Sequence, residues 1–163
     1  MLQNISPAVK GLITAILMIV VSFALYYTKV KANSPLIYLP YIIYAIGIVW
    51  TLVSYRRSAA YTGKFKDLFS QGFKCFIVTT LVMIGFIAIF LRMQPQFKEE
   101  SAIAYREFLV KEKSKQPHEI DAEVERHKKQ FNTAFISASI FGYLIIGAIV
   151  TAGISALLTR RNQ

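Results

Sequence analysis

The chain has 163 residues, 55% of them apolar, and its 19 Lys and Arg outnumber its 9 Asp and Glu. The apolar residues concentrate in four long uncharged runs, which excludes an ordinary soluble domain, because about 20 apolar residues in a row span a bilayer. The high hydrophobicity also excludes intrinsic disorder. We therefore predict an all-α integral membrane protein, a four-helix bundle with an extramembrane helical hairpin between spans 3 and 4.

The four uncharged runs define the predicted membrane spans. At about 1.5 Å per residue they cover about 25 to 38 Å, enough for a hydrocarbon core about 30 Å thick. Helices are expected because lipid cannot satisfy exposed backbone N–H and C=O groups. The first run is longer than the roughly 7 to 15 apolar residues of a cleaved signal peptide, so we expect it to be retained. The predicted spans are about residues 11–28, 36–55, 75–91 and 134–158.

Aromatic residues lie near the ends of the first two spans. Tyr26 and Tyr27 close the first span, and Tyr38 and Tyr41 open the second. Tyr is common at membrane–water interfaces because its ring is apolar and its hydroxyl is polar. An interfacial belt is therefore the favoured interpretation, and a ligand-binding box formed by Tyr38, Tyr41 and Tyr44 is the alternative.

The segment 64–74 predicts an amphipathic helix at the membrane surface. Phe65, Leu68, Phe69 and Phe73 share one helical face, and the lysines fall elsewhere around the turn, near anionic headgroups. An ordinary surface helix that also sets topology is favoured over a lipid-sensing or partner-docking element. The residues expected to contact lipid headgroups are Arg56, Arg57, Lys64, Lys66 and Lys74.

The charged segment 95–131 predicts the extramembrane helical hairpin, closed by a narrow apolar seam. A break at residues 114–117 separates its two helices. Pro117 fits the first position of the second helix, and Glu119 fits a role in capping its first turn. On the first helix Phe97, Ala104, Phe108 and then Lys111 share one face, and Ile103, Tyr105 and Leu109 flank it; on the second helix the apolar positions are Ile120, Val124 and Phe131.

Small residues recur along the fourth span at four-residue spacing. Such stripes allow helices to approach closely in a membrane. Packing within the bundle is favoured over a homodimer face. The predicted helix-packing stripe is Ala134, Ala138, Gly142, Ala148, Ala152 and Ala156.

The distribution of Lys and Arg predicts the orientation. The N-terminus, the segment 56–74 and the C-terminal tail hold eight, against eleven on the other side, but nine of those eleven lie among eight acidic residues in the segment 92–133. Because the segment 56–74 is dense in positive charge and poor in acid, we place it on the cytoplasmic side. We therefore expect the N-terminus and the C-terminus to be cytoplasmic.

No catalytic, cofactor or metal motif is legible in the sequence. The sole cysteine, Cys75, excludes an intrachain disulfide and lies at the start of an apolar span, where a buried hydrophobic role is favoured. Glu123 and His127 share a helix face, but a third metal ligand is not evident. No basic domain is present to bind nucleic acid. We predict a protein that is not an enzyme and that binds no cofactor, metal or nucleic acid.

Five short elements of the sequence together have the pattern of a known family. They are 10–12 (Lys-Gly-Leu), 66–73 (Lys-Asp-Leu-Phe-Ser-Gln-Gly-Phe), Pro95, 116–120 (Gln-Pro-His-Glu-Ile) and 154–161 (Ile-Ser-Ala-Leu-Leu-Thr-Arg-Arg). With these elements the sequence resembles an uncharacterised four-span membrane family of Bacteroidota, domain of unknown function 4199. The resemblance extends over nearly the whole chain and implies a multi-pass protein of the bacterial inner membrane with this architecture. It implies no activity and no catalytic residues.

For function, the sequence favours a non-enzymatic accessory or scaffold protein within the lipid bilayer. It would act through helix–helix contacts with a second copy of itself or with a membrane-protein partner. An oligomeric permease or pore subunit for a small uncharged solute is the alternative, because the spans hold no ionisable side chain of the kind that ion pumps use. A membrane enzyme built around Glu123 and His127 ranks third.

Overall fold

The chain is helical throughout the part that a computed structural model describes, residues 5–30, 34–112 and 116–160. Helix accounts for 89% of the structure, and these residues contain no strand, which confirms the all-α class. A short 3-10 turn at Pro35–Tyr38 precedes the second helix. The helices are α1 (Pro7–Tyr27), α2 (Leu39–Arg56), α3 (Phe65–Met93), α4 (Pro95–Glu112) and α5 (Pro117–Arg160).

Four helical segments are long and apolar enough to cross a membrane: Pro7–Tyr27, Pro35–Arg56, Phe65–Met93 and Pro117–Arg160. They contain the four predicted spans, except that Thr28, the last residue of the first span, follows the end of α1. These lengths and compositions fit a multi-pass membrane protein. The predicted break between the last two helices falls partly on residues 114 and 115, which lie outside the described residues, as does Arg161.

Local sequence explains where α1 and α5 begin. Ser6 caps α1, because its Oγ accepts a hydrogen bond from the Val9 N–H at 3.3 Å and Pro7 occupies the first helical position. At α5 the Gln116 N–H donates to the Glu119 carboxylate at 2.9 Å, with Pro117 first in the helix. This bond is half of a capping box, and it confirms the capping role expected for Glu119.

The turn between α2 and α3 is held by side-chain hydrogen bonds. The Tyr55 hydroxyl donates to the Ala60 carbonyl at 3.1 Å, and the Thr62 hydroxyl donates to the Asp67 carboxylate in the first turn of α3. Gly63 has a φ of 83°, in the left-handed region where glycine carries no steric penalty. The turn therefore depends on glycine at this position.

The chain divides into two compact units. Unit 1 comprises Met1–Met83 and Ile140–Gln163, and unit 2 comprises Ile84–Ser139. Helices α1 and α2 belong to unit 1 and α4 to unit 2, whereas α3 and α5 contribute residues to both.

Unit 1 is packed closely at four glycines. An added Cβ at Gly11 on α1 would lie 2.5 Å from the Cys75 carbonyl oxygen on α3, and one at Gly47 on α2 would overlap the Thr14 side chain on α1. At Gly72 on α3 it would lie 2.5 Å from Thr151 Cγ2 on α5, and at Gly147 on α5 it would lie 2.5 Å from the Tyr44 hydroxyl oxygen on α2. Small residues at such positions are what let membrane helices approach each other. The largest fully buried side chains around them include Met18, Tyr44, Ile48, Leu52, Leu68 and Met83.

Unit 2 has its own apolar core between α4 and the first half of α5. Its buried residues are Ala102 and Leu109 on α4 and Ile120 and Val124 on α5, with Tyr105 packed against them. Ion pairs join the same helices: Arg106 to Asp121 at 2.7 Å and Lys128 to Glu99 at 2.6 Å.

The seam predicted for α5 is confirmed, since Ile120, Val124 and Phe131 are all buried. On α4 the prediction is confirmed at Phe97, whose ring contacts that of Phe131 at 5.8 Å, and wrong at Ala104 and Phe108, which are exposed while the flanking residue Leu109 is buried. Helix α4 has two rows of apolar residues, and residue spacing alone does not show which row is buried. The row that includes Ala102 and Leu109 lies beside the residues whose ion pairs reach α5, and that row is the buried one.

Candidate functional site

The residues predicted to contact lipid headgroups lie where α2 ends and α3 begins. Arg57, Lys64, Lys66 and Lys74 are exposed, and Arg56, the last residue of α2, is half-buried. Their exposure leaves them available to an anionic surface, and the contact itself stays a prediction.

An aromatic row lies among these basic residues on α3. Phe65 and Phe69 stack at 5.7 Å between ring centroids, and Phe69 and Phe73 stack at 6.4 Å. Phe65 and Phe73 are exposed, whereas Leu68, predicted on the same face, is fully buried. On this face of α3, Leu68 is therefore packed inside the protein, whereas the rings of Phe65 and Phe73 are exposed.

The small-residue stripe predicted on α5 is only partly involved in packing within the chain. Ala134 and Ala138 are exposed, and a Cβ at Gly142 would meet open space. Half-buried positions are Ala148, Ala152 and Ala156. Whether this stripe contacts a second copy or a partner stays a prediction.

A different row on α5 packs against the neighbouring helices. Tyr143, Gly147, Thr151 and Ser155 recur every four residues and are all buried. The hydroxyls of Thr151 and Ser155 have no hydrogen-bond partner in the described part of the chain. The sequence signal is the same four-residue spacing, but the predicted stripe contains only alanine and glycine and leaves out Thr151 and Ser155.

Thr51, Thr79 and Cys75 form a polar cluster between α1, α2 and α3. The Thr51 hydroxyl lies 2.9 Å from the Gly47 carbonyl oxygen and 3.3 Å from Cys75 Sγ. The Thr79 hydroxyl lies 3.0 Å from the carbonyl oxygens of both Gly11 and Cys75. These side chains therefore tie the helices together at their closest approaches. The thiol is fully buried, in keeping with the structural role expected for it.

The three tyrosines considered as a ligand box are not brought together as one enclosure. Tyr38 is 61% exposed, whereas Tyr44 is fully buried. The Tyr44 hydroxyl donates to the Tyr143 carbonyl at 3.1 Å and lies 3.4 Å from the Thr80 hydroxyl. The ring of Tyr143 contacts those of Tyr41 and Tyr44 at 5.6 and 5.7 Å. Tyr44 thus serves as a hydrogen-bonded contact between α2, α3 and α5.

Lys10 is a buried basic residue that the sequence pattern does not single out. Its side chain is only 3% exposed, and its Nζ lies 5.4 Å from the centroid of the Trp50 ring on α2. In the sequence it is a single lysine next to an apolar run, a pattern that indicates only how the span is oriented in the membrane. The contact with Trp50 depends on how α1 packs against α2, and no local pattern reveals it.

The Glu123–His127 region is part of the interface between α4 and α5 in unit 2. His127 stacks on Tyr105 at 4.5 Å between ring centroids, and its Nε2 lies 3.3 Å from the Ser101 hydroxyl. Within the described ranges no group of three or more His, Cys, Asp or Glu side chains is arranged to hold a metal ion.

Comparison with known proteins yields one family. No curated protein and no solved structure matches the chain significantly. A family model described as "Protein of unknown function (DUF4199)" matches residues 10–160. This range covers all of α2 to α5 and most of α1, and it includes Lys10, Trp50 and the close-packed glycines. The chain therefore belongs to the DUF4199 family of proteins of unknown function.

Proposed function

We propose that the protein is a non-enzymatic accessory or scaffold protein of a bacterial inner membrane, acting through helix contacts with itself or a membrane-protein partner. The observation that supports this proposal is that polar side chains in the candidate spans form hydrogen bonds within the protein. Thr51 and Thr79 bond between helices or to backbone carbonyls, and Tyr44 does the same. Side chains committed to packing are poor candidates for transport or catalysis.

In this proposal α1, α2, α3 and the second half of α5 form a four-helix transmembrane bundle. The contacts within unit 1 support it, because each of these helices has a glycine or hydroxyl at a close approach to another. The basic segment 56–74 faces the cytoplasm, following the positive-inside rule.

The second part of the proposal concerns α4 and the first half of α5. They form an extramembrane helical hairpin, supported by the Arg106–Asp121 and Lys128–Glu99 ion pairs. Although this segment is highly charged, Ile103, Phe108 and Val110 are 60%, 54% and 55% exposed. Exposed apolar side chains on a charged, water-facing element commonly mark a protein contact. We assign the partner contact to α4.

Site-specific crosslinking in native membranes tests this assignment. A photoreactive residue at Phe108 should capture a second copy or a membrane protein, because that side chain projects from α4. The same probe at Leu109, which is 3% exposed, should yield only intrachain products. Recovery of an uncrosslinked monomer with the Phe108 probe, in cells expressing the protein at native level, would count against a partner on this face.

The second candidate is an oligomeric pore or permease subunit for a small uncharged solute. The buried hydroxyls of Thr151 and Ser155, which lack a partner in the described residues, favour it because water or a solute hydroxyl would satisfy them. Reconstituted vesicles should then show glycerol flux that falls on replacing both residues with alanine. Vesicles no more permeable than empty ones would exclude this candidate.

A further inference from the structure

Lys10 is a buried cation in a unit that is poor in acid. Its side chain is 3% exposed, and no carboxylate in residues 5–30, 34–112 and 116–160 forms an ion pair with it. The sequence of unit 1 contains ten Lys and Arg but only one acidic residue, Asp67, whose carboxylate accepts the Thr62 hydroxyl. Burying a charge is costly unless it is paired, so an anion from outside the chain would stabilise this ammonium.

Trp50 provides only part of the stabilisation that the ammonium needs. The ring lies 5.4 Å from Nζ, within the range in which a cation is attracted to an indole face. An ammonium has three N–H donors, however, and an aromatic face offers no lone pair to accept them. Lys10 is therefore held in place while retaining donors for an oxygen ligand.

The start of α1 adds a second positive element at the same place. In a helix the Cα–Cβ bond tilts toward the N-terminus, so the side chain of Lys10 leans toward the first turn. The N–H groups of that turn carry a partial positive charge that attracts anions. Pro7 has no N–H, Val9 donates to Ser6 Oγ, and Lys10 donates to the Ser6 carbonyl oxygen, so the Ala8 N–H is the donor of this turn that is left for a ligand.

We propose that Lys10, held beneath Trp50 at the start of α1, binds the phosphate group of an anionic phospholipid. A phosphate offers oxygen acceptors to the ammonium and negative charge to the helix terminus. The first turn of an apolar helix lies at headgroup depth in a bilayer, which selects a lipid phosphate over a soluble one. This inference goes beyond the accessory function and rests on the proposed placement of α1 across the membrane.

The chain carries its own reporter for the test, since Trp50 is its only tryptophan. The full-length protein in neutral detergent is titrated with phosphatidylglycerol, phosphatidylcholine or inorganic phosphate, and the Trp50 emission is followed. Phosphatidylglycerol should change the emission saturably, and phosphatidylcholine should not. An equal response to both lipids would overturn the proposal. A response to inorganic phosphate at the same concentration would support a phosphate site at Lys10. It would contradict the proposal that the phosphate belongs to a lipid.

Variants then assign the response to Lys10. Lys10→Met should weaken phosphatidylglycerol binding at least fivefold, whereas Lys10→Arg should retain it. Lys29→Met is the matched control, because Lys29 is exposed and follows the opposite end of α1; it should bind as the wild type does. If Lys10→Met does not fold, raising the salt concentration on the wild type should still weaken the response several-fold, and a salt-independent response would refute the site.

Discussion

The closest approach between α1 and α3 gives a quantitative test of the packing in unit 1. We expect Gly11→Ala to destabilise the protein, because the new Cβ would lie 2.5 Å from the Cys75 carbonyl oxygen and 3.2 Å from Thr79 Oγ1. Ordinary van der Waals contact begins near 3.4 Å. The first neighbour is backbone, so the strain cannot be relieved by rotating a side chain, and α1 has to move away from α3.

The expected loss of stability combines two destabilising effects and one stabilising effect. Overpacking of a well-packed core costs about 1 to 3 kcal/mol. Displacing α1 also weakens the 3.0 Å contact between the Thr79 hydroxyl and the Gly11 carbonyl, and such interhelical bonds contribute about 0.6 kcal/mol in membranes. Alanine favours a helix over glycine by up to about 1 kcal/mol. The net loss should be about 1 to 2.5 kcal/mol of the free energy of unfolding.

Gly153→Ala is the matched control, because a Cβ at Gly153 meets nothing within 4 Å. Gly153→Ala is the same substitution in another helix of unit 1. It should leave the free energy of unfolding unchanged or raise it slightly. Equilibrium unfolding in mixed micelles, followed by circular dichroism, measures both variants against the wild type. Equal stabilities for Gly11→Ala and Gly153→Ala would refute the close approach of α1 to α3.

Three further predictions address unit 2 and the topology. Leu109→Ala should destabilise unit 2 by about 2 to 5 kcal/mol, since the side chain is 3% exposed, whereas Phe108→Ala should cost well under half of that; hydrogen exchange across α4 measures both. Glu119→Ala should speed exchange in the first turn of α5, because losing the bond to the Gln116 N–H costs about 0.5 to 2 kcal/mol; unchanged exchange would contradict the cap. Reporter fusions after Glu112 and after Arg160 should report opposite sides of the membrane, and identical signals would rule out an odd number of crossings between them.

The sequence was sufficient to predict which helices are long and apolar enough to cross a membrane, but not how these helices are rotated about their axes. Each candidate span is apolar on all sides, so hydropathy does not distinguish the face toward lipid from the face toward a neighbour. On α5 the buried row runs through Thr151 and Ser155, whereas Ala134 and Ala138 on the predicted stripe are exposed. Both rows have the same spacing, and only the shapes of the neighbouring helices select between them.

The same reasoning explains why the sequence predicts the buried face of α5 in unit 2 but not that of α4. On α5 a single apolar strip, Ile120 and Val124, lies in an otherwise charged stretch, so the pattern identifies the buried face. On α4 two strips compete, and contacts distant in sequence decide between them, such as the Arg106–Asp121 pair. Lys10 is the extreme case, since its burial depends on a tryptophan forty residues later in the sequence.

The charge distribution connects these observations to the proposed function. In unit 2 nine Lys and Arg accompany eight acidic residues, and ion pairs such as Lys128 to Glu99 neutralise some of them within the chain. Unit 1 has nine more basic than acidic residues, so internal pairing cannot neutralise it. Much of this excess lies at the end of α2 and the start of α3, as at Arg57 and Lys64. A region so charged next to apolar helices is stabilised by an anionic surface, and the cytoplasmic leaflet of a bilayer is one. The orientation proposed from the positive-inside rule and the phosphate site proposed at Lys10 therefore have the same physical cause.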